Sequence, residues 1–204
     1  MTTAARSAPA ALRNREPILD VLRSRVPEAG LVLEIAAGTG EHAVFLSRAL
    51  PGLSWLPTDP DPDALASIAA WRAAEGPPNL LEPLALSAAE PDAWPVTRAD
   101  SIVCINMIHI SPWSATEGLM TGAGRILPQG GVLYLYGPYR EAGRPTAPSN
   151  DAFDVSLKSR NPAWGLRLLE DVVVLAAQHG LRLIDRVEMP ANNLSVVFER
   201  REAA

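Results

Sequence analysis

Apolar and polar positions along the chain fall into blocks that predict helices and strands in turn. Pro17 to Arg25 sets Ile18, Leu19, Val21 and Leu22 at helical spacing, with a proline in the first turn. Leu31 to Ile35 is a short apolar run carrying one acid, a first strand. Glu41 to Ala49 is the helix after it, and Leu53 to Pro57 a second strand ending at Thr58-Asp59. An Ala-rich helix is expected over Asp63 to Ala74, a short third strand over Leu80 to Leu86, and a continuously apolar fourth over Ser101 to Ile108. Such uninterrupted runs belong to parallel sheets covered on both faces. Thr116 to Leu127 reads as helical, stopped by Pro128-Gln-Gly-Gly131, and Val132 to Tyr136 as a fifth strand. Gly137 to Gly165 has no period and is rich in Gly, Pro, Ser and Asn, which predicts a long loop of the kind reserved for function. A helix from Leu168 to His179 closes at Gly180, and Leu181 to Glu188 and Leu194 to Arg200 then form two strands joined by Met189-Pro-Ala-Asn-Asn193. The order predicts an α/β fold: a doubly wound sheet of seven strands with the last antiparallel and helices on both faces.

Length and composition narrow this picture. A chain of 204 residues with 48% apolar content buries one substantial core, so one domain is expected, with residues 1–12 flexible and 137–165 inserted as a lid. A net charge of -5 argues against a broad phosphate-binding surface, because non-specific nucleic-acid affinity needs clustered Lys and Arg. The single Cys104 lies inside an apolar run, which excludes a disulfide framework and points to an inert thiol in a cytoplasmic protein. No apolar run approaches the roughly 20 residues of a membrane span. His42, His109 and His179 show no paired metal spacing, so no metal site is expected. A small-molecule partner is the remaining expectation.

The chemistry concentrates in Val32-Leu-Glu-Ile-Ala-Ala-Gly-Thr-Gly-Glu41, a strand breaking into a small-residue turn and then a helix. Gly38 and Gly40 offer backbone without Cβ, which takes positive φ and lets a ligand lie against the main chain. Gly38-Thr-Gly40-Glu-His-Ala43 satisfies the G-x-G-x-x-A dinucleotide fingerprint, so a nicotinamide (NAD) cofactor stays open. Against it stands Glu34, an acid inside a strand that dinucleotide folds usually keep apolar. The spacing Glu34-x-Ala36-x-Gly38-x-Gly40 resembles the E/D-x-G-x-G-x-G turn of class I S-adenosylmethionine (SAM) methyltransferases, with Ala36 in place of the first glycine. A methyl group there predicts a more ordinary φ and a slightly narrower turn.

Asp59 follows 19 residues after Gly40 at a strand end, where a carboxylate accepts from both ribose hydroxyls; the alternative is a turn acid in Asp59-Pro-Asp-Pro-Asp63. Ser87 is a candidate adenine contact or a turn residue. Asn106 and Met107, at the end of the fourth strand, are cofactor candidates, and His109 is either a general base or a packed histidine. In the long segment and just beyond it, Tyr139, Asn150, Asp154, Trp164 and Arg167 gather where the carboxyl edge of the sheet should open, as substrate-lid residues or a structural loop. Asn192 faces the same pocket or serves only the last turn.

Taken together, Arg13-Asn-Arg-Glu-Pro-Ile-Leu19, Leu33 to His42, Pro57-Thr-Asp59, Asn106 to Trp113, Gly137-Pro-Tyr139, Ser149-Asn150, Phe153-Asp154, Trp164 to Arg167 and Met189 to Asn193 resemble one branch of class I methyltransferase-like proteins. This is the family of unassigned substrate that includes methyltransferase-like protein 26, the domain of unknown function 938 type. The resemblance implies a Rossmann-like methyltransferase fold and SAM binding, and places Asn14 with Arg13 near the cofactor. Ser87 and Leu168 depart from it where acids are common. The expectation is a transferase moving a methyl group from SAM to an O, N or S nucleophile of a small molecule. An NAD-linked oxidoreductase and a non-catalytic SAM-binding interaction protein are the alternatives.

Overall fold

The computed structural model describes residues 5–201. Its centre is a seven-stranded sheet of order β3-β2-β1-β4-β5-β9-β8, formed by β1 (Gly30–Ile35), β2 (Leu53–Asp59), β3 (Leu84–Ala85), β4 (Ser101–Ile105), β5 (Val132–Gly137), β8 (Leu181–Met189) and β9 (Asn193–Arg200). The five strands from β3 to β5 run parallel, and β9 inserts antiparallel to both β5 and β8. This is the expected doubly wound sheet. Two further short strands, β6 (Tyr139–Arg140) and β7 (Arg167–Leu168), pair with each other outside it.

Alternation along the central strands divides the core into two layers. Leu33 and Ile35 of β1, Ile102 and Cys104 of β4, and Leu133 and Leu135 of β5 face α4 (Trp113–Ile126) and α6 (Leu169–Gln178). Val32, Val103, Ile105, Val132, Tyr134 and Tyr136 face the other way, onto α1 (Pro9–Leu22) and α2 (Glu41–Ala49). A parallel strand buried on both sides must be apolar at every position, which is why Ser101–Ile105 reads as an unbroken run. Outside α2, α3 (Pro62–Glu75) begins at Asp61, whose side chain accepts from Asp63 N at 3.0 Å ahead of a proline in the first turn.

Several expectations change. The first helix starts at Pro9, not near Pro17, so residues 9–12 are helical and not a tail; residues 1–4 lie outside the described part. The preceding segment is anchored: Arg6 N donates to Ser67 Oγ (2.9 Å), and Trp71 Nε1 donates to the Arg6 carbonyl (2.8 Å). The third strand shrinks to two residues because Pro83 removes a ladder donor. The fourth stops at Ile105, where Asn106 turns left-handed (φ 60°) into a single 3₁₀ turn. The expected loop 137–165 contains α5 (Pro148–Arg160), a 13-residue helix. Its buried positions, Asn150, Asp154 and Leu157, have helical spacing, but two of the three are polar and leave no apolar period to read.

Candidate functional site

Breaks at the carboxyl ends of β1, β2 and β4 open a cleft of about 740 Å³, a size typical of small-molecule sites. Ala36 and Gly38 line it in left-handed conformation (φ 56° and 59°), as does Asn106 across from them. Ala36 therefore does not take the ordinary φ expected of it. A residue with a Cβ is held where glycine is relaxed, at a cost of about 1 to 2 kcal/mol. At Gly38 a Cβ would meet nothing within 4 Å; it would project into open space beside the turn. Gly40 behaves differently. It is absent from the cleft wall, caps α2 at φ 91°, and a Cβ there would come within 2.9 Å of the Ile68 main chain. Its glycine serves the close packing of α2 on α3.

Asp59 joins two of the turns. Its Oδ2 accepts from Gly38 N (2.9 Å) and its Oδ1 from Asp61 N (3.0 Å), so the carboxylate is oriented before any ligand arrives. Glu34 lies at the base of the cleft, 1% exposed, and Trp55 Nε1 donates to it at 2.7 Å. Burial pushes its carboxyl up to about 7; the Trp55 hydrogen bond opposes this and the nearby Asp59 charge adds to it. His42, on the first turn of α2, forms another part of the wall. Its Nε2 lies 2.7 Å from Asn14 Oδ1, which fixes the tautomer with a proton on Nε2, and burial lowers its pKa to about 4.

The remaining wall is apolar: Ala8 and Ala11 of the N-terminal segment, Pro60, Leu86, Ala88, Met107, Ile110, Ala115 and Trp164. Ser87 also lines it, with its carbonyl taken by Trp94 Nε1. Ser111 presents a buried hydroxyl that has no hydrogen-bond partner. Among the described lining residues there are three carboxylates, Glu34, Asp59 and Asp61, and no lysine or arginine. The N-terminus of α2 begins with Glu41, whose carboxylate accepts from Ala8 N and Thr39 Oγ1 (3.2 Å), so that end already carries a negative charge.

The structure thus brings Glu34, Ala36, Gly38, Asp59, Ser87, Asn106, Met107 and Trp164 together in one cleft. Asn14 stands one hydrogen bond behind its wall, and Arg13 is exposed. Other expected residues lie elsewhere. His109 is buried outside the wall, edge-on to Phe153 at 5.6 Å and against Gly137, and burial together with Arg167 and Arg160 lowers its pKa to about 4. Asp154 is bonded to Lys158 Nζ (2.7 Å), Arg140 and the Leu166 amide. Arg167 donates to the carbonyls of Ile108, Ser111 and Ala163. Arg167 fastens the segment after α5 to the loop after β4, and Asp154 fastens that segment to α5 itself. Tyr139, Asn150 and Asn192 line a separate pocket. His42 and Ser111 lie within motifs of the resemblance without being distinguished there as cleft residues, and the N-terminal alanines carry no signal; 28 residues separate His42 from its partner Asn14. Among the described residues no group of three His, Cys, Asp or Glu is placed to hold a metal ion.

A family model described as a protein of unknown function (DUF938) matches residues 5–200. Among solved structures, the fold is similar to an O-methyltransferase family 2 protein from Planctomyces limnophilus in complex with apigenin (TM-score 0.74, 18% identity, 92% of this chain and 61% of that one). It is also similar to an O-methyltransferase family protein from Burkholderia thailandensis (0.76, 16%, 96% and 58%). A third is human N-acetylserotonin methyltransferase in complex with SAM (0.77, 12%, 94% and 53%). The chain thus spans less than two thirds of the length of each of these proteins. The shared fold is the Rossmann-like one of class I methyltransferases.

Proposed function

The chain belongs to the DUF938 family, and from its cleft we propose a SAM-dependent methyltransferase acting on a small molecule with an O, N or S nucleophile. The observation that carries this reading is the charge of the cleft: three carboxylates and no lysine or arginine among its described wall residues, around a left-handed turn at the sheet edge. A pyrophosphate would meet three carboxylates and no lysine or arginine on the described wall, and the helix end that would receive it is already matched by Glu41. SAM carries a sulfonium, an ammonium and one carboxylate, a net positive charge, and the acidic residues of the site fit its two cations. Asp59 is oriented to accept from ribose hydroxyls. Gly38 leaves the turn bare for a ligand to pass, and Pro60, Leu86, Ala88 and Met107 supply apolar surface for adenine. Glu34 gives up its proton most readily when a cation lies above it.

When bound, SAM supplies an activated methyl: the acceptor lone pair forms the new bond, the C–S electron pair stays on sulfur, and the acceptor proton passes to water or a base. The protein's part is to orient and desolvate, which can supply roughly 7 to 11 kcal/mol of the barrier. Ala8, Ala11, Ile110 and Trp164 exclude water from the cleft, and Glu34 and Asp59 hold negative charge beside the donor. No strong base is required, which agrees with a His109 buried away from the cleft. The test is formation of S-adenosylhomocysteine from SAM over a panel of phenols, amines, carboxylates and thiols. Product with at least one class supports the reading. Tight SAM binding with no product from any class favours a SAM-binding interaction protein.

A further inference from the structure

The segment leading into α1 forms one side of the cleft while staying largely at the surface. Arg6, Ser7, Pro9 and Ala10 are exposed, yet Ala8, Ala10 and Ala11 belong to the cleft wall. With so little apolar burial, hydrogen bonds hold this stretch down. Arg6 N donates to Ser67 Oγ (2.9 Å), Ala8 N donates to Glu41 Oε2, and Trp71 Nε1 donates to the Arg6 carbonyl (2.8 Å). The remaining contact, an ion pair of Arg6 with Asp63 at 2.8 Å, is 52% and 75% exposed and adds little.

The two acceptors that take these amides also hold the turn between Gly38 and Gly40. Ser67, 1% exposed on α3, donates its hydroxyl to the Thr39 carbonyl (2.8 Å). The Glu41 oxygen that accepts from Ala8 N also accepts from Thr39 Oγ1 (3.2 Å). Thr39 lines the cleft, and Ser67 and Glu41 stand outside its wall. Main chain and side chain of one cleft residue are thus each a single side chain away from the N-terminal segment. A hydroxyl that accepts from one partner while donating to another is polarised by both, so the Arg6 and Thr39 bonds of Ser67 support each other. Glu41 opens α2 and meets Ala8, which caps α1, so one carboxylate faces the positive ends of two helices.

We propose that residues 6–11 are a strap that opens and closes over the SAM cleft, with Ser67 and Glu41 as the positioning residues that couple the docked strap to the turn bordering the cofactor. The proposal rests on the cleft being the SAM site. An exposed stretch held by a few hydrogen bonds opens at far lower cost than the domain unfolds. Docked strap and bound SAM favour the same arrangement of Thr39, so each strengthens the other by the same factor. Trp71 acts on the strap alone, since it bonds Arg6 and lies outside the cleft wall.

The test follows amide hydrogen exchange at Arg6 and Ala8 in the full chain by NMR, without and with saturating SAM, together with the SAM dissociation rate by stopped flow. SAM slows exchange at both amides by at least about threefold, the effect of roughly one hydrogen bond. S67A and W71F, each confirmed as folded by denaturant unfolding, speed both exchange at Arg6 and SAM dissociation by at least about threefold. S47A is the control, a buried serine whose hydroxyl donates to the Val44 carbonyl within α2 (3.2 Å), and it changes neither rate. SAM bound with unchanged exchange at Arg6 and Ala8 overturns the strap and leaves the donor cleft standing. Faster exchange in W71F with SAM dissociation unchanged overturns the coupling. A wild-type chain that binds no SAM overturns the cofactor reading, and the strap with it.

Discussion

The two cavities on the carboxyl edge of the sheet are built from different material. The cleft over β1, β2 and β4 is made of main chain: left-handed turns, an aspartate bonded to two backbone amides, and a buried glutamate under an indole. The pocket over β5, β8 and β9 sets four charged side chains, Glu141, Arg144, Arg186 and Glu188, among neutral ones, and the Arg144–Glu188 pair is loose at 3.6 Å. A site fixed in the backbone presents the same shape to every ligand, which suits a single invariant methyl donor. A site walled partly by exposed charged side chains is less firmly set by the main chain. The cleft should accordingly be costly to alter, and the second pocket cheap.

The largest expected effect is at Gly40. Gly40→Ala adds a Cβ at 2.9 Å from the Ile68 main chain in a left-handed conformation, and should cost about 4 kcal/mol of stability by denaturant unfolding. A loss confined to cofactor affinity would move Gly40 back into the cleft. Glu34→Gln comes next. The folded carboxyl titrates near 7 against 4.5 unfolded, so the native state holds the proton more tightly; wild-type stability is highest below pH 4.5 with respect to this group and falls as pH rises to about 7. The amide removes that fall and should stabilise the ligand-free protein by about 3 kcal/mol at pH 8 and little at pH 4. The same titration makes the wild-type affinity for a cationic ligand rise between pH 6 and 8, and E34Q should flatten that rise.

Asp59→Ala removes a charge-assisted acceptor worth about 1.5 to 3 kcal/mol, and calorimetry should find cofactor affinity down by at least about tenfold. Unchanged affinity would leave Asp59 as a turn residue only. Ala36→Gly relieves a left-handed alanine at the expense of a more flexible unfolded chain, a net gain of about 0.5 kcal/mol in thermal unfolding. The smallest effect belongs to the second pocket: Arg144→Gln should change stability by less than about 0.5 kcal/mol. A larger loss would mean that pocket is as rigid as the cleft, and would erase the contrast between them.

That contrast also governs how much was legible in the sequence. The central strands are read with little error because both faces are buried and nearly every position is apolar, whereas the third, reduced to two exposed residues after Pro83, is not. Glu34, Gly38 and Asp59 stand out because a nucleoside turn needs small residues and acids at fixed local spacing. What failed depends on distance or on polar burial. Helix α5 was hidden because Asn150 and Asp154 occupy its buried face. His109, placed by sequence at the reaction edge, is turned into a packing position by Phe153 and Gly137. His42 enters through a partner 28 residues away, and Ala8 and Ala11 through an N-terminal segment anchored by Ser67, Trp71 and Glu41. Ala36 inverts a local rule, since the surrounding turn holds it at a φ its own side chain disfavours.

The most direct measurement is calorimetric titration of the purified chain with SAM, S-adenosylhomocysteine and NAD in one buffer at pH 8. An acid-lined cleft with no lysine or arginine on its described wall predicts saturable heats for both adenosyl ligands and none for NAD. Binding of NAD with silence from SAM would contradict the account at its centre.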